Sequence, residues 1–325
     1  MRQIILFAFL YIGVLQGQSL LITPANNHFT NQSAQTFVWN QVNDATVYQL
    51  DIALDALFSN IIINRVQTNT SSNENLQLGK VYYWRVRYKL NGIWSAYSSY
   101  YKLTVVDINA MPNKSLWLDA GTIGQANNTN VTSWSDLSGN GKNAIQTNVS
   151  AQPKYIVSGI GGKPSIQCKG GTYLTCGNNF TMNGNYTFIV LFKAGPTGTF
   201  GTVFAKSINA NGGIYLGHTT DGTYNLFADV EQIQLPTKPK ILNKNLILSG
   251  VFKTRTDTVK LYRNNVLDHF YKPGGAIDFA GSNTSAFDIG TTAGGLPLDG
   301  QIAEMFIFNE AIPDSNRNEL LTFNK

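Results

Sequence analysis

The sequence predicts an all-β protein built of two sandwiches, and three observations carry that expectation. First, only 13% of the residues are charged, against roughly a quarter in ordinary globular chains. Uncharged turn formers take their place, above all Asn, with Thr, Ser and 30 Gly, while the strong helix formers are sparse. Second, 43% of the chain is hydrophobic and 12% aromatic. That supplies core material, argues against disorder and, with many Thr, Val and Ile, suits pleated sheets. Third, apolar and polar residues alternate with a period of two in segment after segment, the pattern of half-buried strands. A length of 325 residues points to two domains or one large one. The net charge of +5 is scattered singly, so no basic, aromatic-laced groove for nucleic acid is expected.

The first element is a leader. Arg2 precedes an apolar run from Ile4 to Leu15, and small Gly17 comes before Gln18-Ser19. This is the make-up of a secretory signal peptide over residues 1–18. The run is too short to span a bilayer comfortably, no later run is of spanning length, and no Cys follows it for acyl anchoring. The expectation is a soluble product, secreted or held at the cell surface.

Residues 19–106 read as short strands. Gln35–Val42 and Thr46–Ala53 alternate, Asn60–Val66 follows, and Leu76–Tyr88 leads into Asn91-Gly92, a two-residue hairpin signal because both positions tolerate positive φ. With Trp39 on an early strand, Leu76 six residues before Tyr82, the run Tyr83-Trp84-Arg85-Val86-Arg87 and the closing Trp94-Ser95, this segment resembles a fibronectin type III domain of the bacterial extracellular kind. The resemblance implies an immunoglobulin-like sandwich, core roles for Trp39 and Trp84, a tyrosine-corner hydrogen bond from Tyr82, and service as a spacer or weak adhesive module. Trp94 near the strand edge has no assigned role. Leu78-Gly-Lys80 departs from the family's Pro-Gly-Thr but keeps the glycine. Residues 107–115, polar with one Pro112, form a linker too short to be a flexible tether, so a fairly fixed relation between the domains is expected.

Residues 116–325 show strand-like segments joined by Gly and Asn turns. These are Tyr186–Phe192, Thr202–Ala205, Gly213–Leu216, Thr223–Phe227, Leu246–Phe252, Thr258–Tyr262, Ala286–Ile289 and Ile302–Phe308. Hairpin tips are expected at Asp221-Gly222 and Asn264-Asn265, and one brief helix over Asp314–Leu321 with Asp314 as N-cap. The arrangement predicts a two-sheet antiparallel jelly roll. Four segments then carry a family likeness: Leu116-Trp-Leu-Asp-Ala120, Trp134-Ser-Asp-Leu-Ser-Gly-Asn-Gly-Lys-Asn-Ala144, Lys163-Pro-Ser-Ile166 and Leu298-Asp-Gly-Gln-Ile-Ala-Glu-Met-Phe-Ile-Phe-Asn309. On these residues the domain resembles the laminin-G-like, concanavalin A-like jelly rolls of secreted bacterial proteins. The chain ends directly after this domain, so a separate C-terminal sorting domain is not expected.

Cys168 and Cys176 flank Gly170-Gly171. In an exported chain they suggest one disulfide closing a hairpin-like bend. Two reduced, half-buried thiols are the alternative, favoured by the position of Cys168, where the resembled family commonly has a core apolar residue and where a free Cys packs as a small hydrophobe.

Folds of this class also include glycosidases, whose Glu-x-Asp-x-Glu strand turns all its carboxylates to one cleft. The nearest match is Phe227-Ala-Asp229-Val-Glu231, with Phe in place of the first carboxylate, so half of a two-carboxylate mechanism is missing. A remote Glu304 or Asp288 would be needed to complete it. His28, His218 and His269 are isolated, which excludes HExxH zinc spacing, and no Gly-x-Ser-x-Gly elbow is present. Lys163 in Gly159-Ile-Gly-Gly-Lys-Pro164 is followed by Pro, not by the Ser or Thr of a phosphate loop.

Calcium is the inorganic partner to test, in a structural role. Asp136, Ser138 and Asn140 alternate in a Gly-rich loop and offer oxygens to a hard cation, with Asp119 and Glu304 as further ligands. The competing reading is turn chemistry, with Asp136 bonding nearby backbone N–H groups. For sugar binding, Tyr173, Tyr215, Tyr224 and Tyr271 lie near turns rich in Asn and Asp and are the candidate plates. The function that follows is a secreted, non-catalytic adhesion or carbohydrate-binding protein whose partner is a glycan or an extracellular protein. A hydrolase acting on O-glycosyl bonds and a structural surface component are the alternatives.

Overall fold

The computed structural model describes residues 20–178, 184–195, 200–206, 214–220, 223–228, 231–233, 242–253, 258–272, 285–292 and 295–322. They fall into two compact units, one running to Asp107 and one beginning at Ile108. The leader and the Asp221-Gly222 turn lie outside the described residues.

Alternation along Lys80–Leu90 organises the first unit. Tyr82, Trp84 and Val86 point into a core shared with Phe37, Trp39, Leu50, Ile52, Leu103 and Val105. Burying side chains of this size stabilises by about 1.5–3 kcal/mol each. Two sheets enclose that core. One orders Leu21–Thr23, Ala34–Trp39 and Ser71–Asn75; the other orders His28–Thr30, Tyr101–Val105, Lys80–Leu90, Ala45–Ala53 and Ile61–Gln67. Ile93–Trp94 folds back on Lys80–Leu90 through Asn91 and Gly92, whose φ values of 49° and 81° are those the hairpin signal requires. The Tyr82 hydroxyl donates to the Gln77 carbonyl at 2.9 Å, the hydrogen bond the resemblance implied. The Ser71–Asn75 strand has no apolar residue and escapes sequence reading. Its buried Glu74 is paired with Arg65 at 3.0 Å instead.

Trp94 takes its place on the other face of the same strand. The Arg85 guanidinium lies 3.8 Å from the ring centroids of both Phe58 and Tyr97. Arg87 lies 4.6 Å from Tyr97 and 4.7 Å from Trp94, and Lys89 closes the stack over Trp94. Ser95 and Ser98 knit this stack to the strand. Each donates its backbone N–H to a carbonyl, of Tyr88 and Val86 respectively, and accepts that residue's N–H on its hydroxyl.

The second unit is a sandwich of two sheets around one core. The first sheet orders Lys154–Ile160, Lys163–Cys168, Gly300–Phe308, Tyr186–Ala194, Asn245–Lys253, Thr258–Arg263 and Val266–Tyr271, with Lys114–Asp119 also paired to Gly300–Phe308. The second orders Ser133–Trp134, Ala144–Ile145, Leu174–Thr175, Phe287–Ile289, Gly201–Lys206, Ile214–His218, Tyr224–Ala228 and Glu231–Ile233. Phe188, Val190 and Phe192 from the first sheet meet Phe204, Leu216, Phe287 and Ile289 from the second. Asn264 and Asn265 form the expected hairpin tip, with φ of 47° and 73°. The helix spans Asp314–Thr322, and Asp314 sits in its first turn rather than at the cap. Its carboxylate accepts from the Tyr262 hydroxyl at 3.0 Å and from Arg317 at 3.4 Å.

The expected disulfide is corrected. Cys168 and Cys176 are free, buried thiols. Gly170 and Gly171, with φ of 62° and 88°, do not turn a hairpin within one sheet; they carry the chain from the first sheet to the second. Cys168 pairs across to Gly300, whereas Cys176 follows a strand paired to Phe287–Ile289 and donates its backbone N–H to Phe287. Burial pushes both thiols up to about 12.

Candidate functional site: the outer face of the second sheet

Directly opposed residues in neighbouring antiparallel strands project from the same side of a sheet. The register of the second sheet therefore sets one row on its outer face: Ser133, Ile145, Thr175, Asp288, Ala205 and Tyr215. The residues on either side, Ala144, Leu174, Phe287 and Ile289, point into the core. Thr175 and Asp288 line a cleft of about 530 Å³ together with Tyr173, Thr291, Thr292 and Pro297.

The polar groups of this cleft are held in place. Thr175 Oγ1 accepts the Gly177 N–H at 3.1 Å and donates to the Phe287 carbonyl at 3.5 Å, which places the hydroxyl beside Asp288, its cross-strand neighbour. Half-burial raises the Asp288 carboxyl above its ordinary range, a shift that the nearby Thr175 hydroxyl and the charge of Lys206 oppose. Thr291 donates to the Thr292 carbonyl at 3.2 Å. Gly290, at φ 89°, lets the chain turn here, and a Cβ at that position would lie 2.5 Å from Cys168 Sγ.

Of the four candidate tyrosines, Tyr173 alone is placed in this cleft, half-buried. Tyr215 shares the row with Asp288 but is only 4% exposed. Tyr224 faces inward, and its hydroxyl donates to Asp268, itself paired with Arg263 at 2.9 Å. Burial and that hydrogen bond raise the Tyr224 phenol well above its ordinary value. Tyr271 lies on the Val266–Tyr271 edge strand of the other sheet, packed against the core and stacked with His269. The four do not form one surface. Sequence reasoning missed Thr175 and reached Asp288 only as a remote carboxylate, because their meeting depends on register between strands far apart in the chain. Of the glycosidase-like segment, Asp229 lies outside the described residues, as do the side chains of Phe227 and Glu231.

The Asp136 loop is organised by turn chemistry. One carboxylate oxygen accepts the N–H groups of Trp117 at 3.1 Å and Ser138 at 2.9 Å. The other accepts the Ser138 hydroxyl at 2.8 Å and the Lys142 N–H at 2.9 Å. A carboxylate has about four acceptor positions, and all four are taken by the protein, so this group does not fit a cation ligand. Asn140 turns its amide nitrogen to the Lys114 carbonyl at 2.7 Å. Asp119 and Glu304 are neighbours across Lys114–Asp119 and Gly300–Phe308. They serve other donors there: Asp119 accepts the Gly121 N–H at 2.7 Å and Glu304 the indole N–H of Trp117 at 3.1 Å. Among the described residues no group of three or more His, Cys, Asp or Glu side chains is placed to hold a metal ion, and no helix is long and apolar enough to cross a membrane.

No protein-family model matches the chain, and no curated protein does. Solved structures resemble it distantly. Domain 4 of AbnA, a GH43 extracellular arabinanase from Geobacillus stearothermophilus, in complex with arabinotriose, is 16% identical with a TM-score of 0.48, over 65% of this chain and 97% of that one. The CBM40 domain of the Ruminococcus gnavus IT-sialidase, bound to α2,3-sialyllactose, is 13% identical with a TM-score of 0.37, over 42% of this chain and 80% of that one. The botulinum neurotoxin serotype D binding domain is 15% identical with a TM-score of 0.43, over 64% and 50%. At these identities and scores the likenesses assign neither ligand nor activity to this chain.

Proposed function

We propose that this chain is an exported, non-catalytic carbohydrate-binding protein, in which the jelly roll holds the glycan and a fibronectin type III-like sandwich acts as spacer. One observation carries the reading: the cleft around Thr175 and Asp288. A sugar offers hydroxyls that both donate and accept, and an apolar ring face. The cleft answers with a carboxylate acceptor, threonine hydroxyls and the ring of Tyr173. Thr175 and Asp288 are placed by the sheet register, which lowers the ordering cost left for binding. A charge-assisted hydrogen bond contributes about 1.5–3 kcal/mol, which makes Asp288 the expected anchor.

The test is retention of the purified chain on a glycan array, alongside an assay for new reducing ends from soluble polysaccharides. Retention that falls at least tenfold in Asp288→Ala and in Tyr173→Ala supports the reading. Release of reducing ends would replace it with the hydrolase. Neither retention nor release would leave a structural surface component.

A further inference from the structure

The Asp136 loop carries more hydrogen bonds than a turn needs, and the Trp134–Ala144 motif that contains it does not line the cleft around Asp288. It runs along the outer edge of Lys114–Asp119, whose other edge is paired to Gly300–Phe308. The Leu137 N–H donates to the Trp117 carbonyl at 2.7 Å, and Asn140 reaches the Lys114 carbonyl. Asn143 Oδ1 accepts the Asp136 N–H at 2.9 Å. This seals a sheet edge and also fixes which way two amides are presented. Asn140 spends its nitrogen and Asn143 its oxygen. Among the described residues nothing donates to Asn140 Oδ1 or accepts from Asn143 Nδ2, and both residues are exposed. The pair therefore displays one acceptor and one donor.

Those amides line a second depression, of about 420 Å³, together with Lys142, Ile145 and Gly177. Its wall toward the first cleft is Thr175, which lines both. Ile145, Thr175 and Asp288 are consecutive members of the cross-strand row. With strands about 4.8 Å apart, the row from Ile145 to Asp288 covers roughly 10 Å, more than one sugar ring needs. Ile145 is 41% exposed and offers an apolar floor where the first cleft offers Tyr173.

We infer that the two depressions form one groove running across the strands, and that the ligand is an oligosaccharide segment of at least two sugars. One sugar rests against Asp288 and Tyr173; the next lies over Ile145 and is bracketed by Asn140 and Asn143. This rests on the carbohydrate-binding reading and adds chain length to it. The Asp136 loop acts as a positioning element, preorganising the second subsite.

The experiment titrates the full chain with neutral homologous series, arabino-, xylo- and malto-oligosaccharides of one to six residues, by calorimetry. Asn143→Asp keeps the acceptor for the Asp136 N–H and removes the displayed donor; a melting curve reports whether the loop survives. Affinity that rises from one residue to longer chains in any series, with Asn143→Asp lowering it about threefold to tenfold for the longer chains only, supports the groove. Affinity independent of length and lost in Asp288→Ala overturns the groove while leaving the carbohydrate-binding reading standing. Equal weakening at every length in a well-folded Asn143→Asp also overturns it. Absence of binding by any series, on the array as in solution, overturns both.

Discussion

The backbone N–H of Lys142 donates to Oδ2 of Asp136 at 2.9 Å, closing a loop in which one carboxylate satisfies three backbone amides and a hydroxyl. Removing the carboxylate strands those amides, and an unsatisfied polar group costs about 1–3 kcal/mol. Asp136→Ala is expected to destabilise the second unit by roughly 2 kcal/mol. For a unit of this size that lowers its melting temperature by about 4–8 °C in a calorimetric scan. Because the acceptor positions are already filled, chelator is expected to leave the wild-type transition where it is. A drop on adding chelator that calcium restores would show that the carboxylate holds a cation instead.

Both cysteines are free and buried, so a thiol titration separates the two readings of the pair. The folded chain is expected to be unreactive toward a thiol reagent at neutral pH, since burial pushes both groups up to about 12 and the thiolate is the nucleophile. In denaturant without reductant both thiols should react. No reactive thiol under either condition would demonstrate a bridge.

In the first unit, Arg87 is held on two sides by Trp94 and Tyr97 and donates twice to Gln49, at 2.9 and 2.7 Å. Cation–π contacts contribute about 0.5–1 kcal/mol at exposed sites and about 2 when desolvated. Arg87→Ala should therefore cost about 2 kcal/mol. Arg87→Lys should recover only part of this, because an ammonium lacks the flat, forked guanidinium. The check is hydrogen exchange at the Val86 and Tyr88 amides, which bond to Ser98 and Ser95. Both should lose protection together. Unchanged exchange would mean that the serines hold the strand without the stack.

The contrast between the two faces of Lys80–Leu90 shows what a sequence discloses. Tyr82, Trp84 and Val86 alternate within one strand, so their burial is legible from period alone, and Asn91-Gly92 announces its turn. Ser71–Asn75 is illegible because a salt bridge, not an apolar stripe, pins it. The candidate site is hidden for a different reason. Ile145, Thr175 and Asp288 come from strands of two, two and three residues, too short to show a period, and only long-range register aligns them. Tyr224 misleads in the opposite direction: a tyrosine beside a polar turn reads as exposed, yet its strand turns it inward to Asp268.

Lys206 couples the stability of the second unit to pH. Its side chain has no solvent exposure, and Nζ donates to the Ser285 carbonyl at 2.7 Å. Burial, and then the charge of Lys142, push it down from 10.5 to about 8, against the pull of Asp288. Between about pH 8 and 10.5 the unfolded chain holds a proton here that the folded chain has released, so this group makes stability rise with pH across that window. At pH 7 both states are charged and the folded state bears the desolvation cost. Lys206→Met keeps the volume and removes the charge. It is expected to stabilise the second unit by roughly 1–3 kcal/mol at pH 7, with the lost Ser285 hydrogen bond offsetting part of the gain. It should also flatten the rise above pH 8. Denaturant titrations of both proteins at pH 7, 8, 9 and 10 measure this. Parallel pH profiles would show that the ammonium is solvated in the folded state.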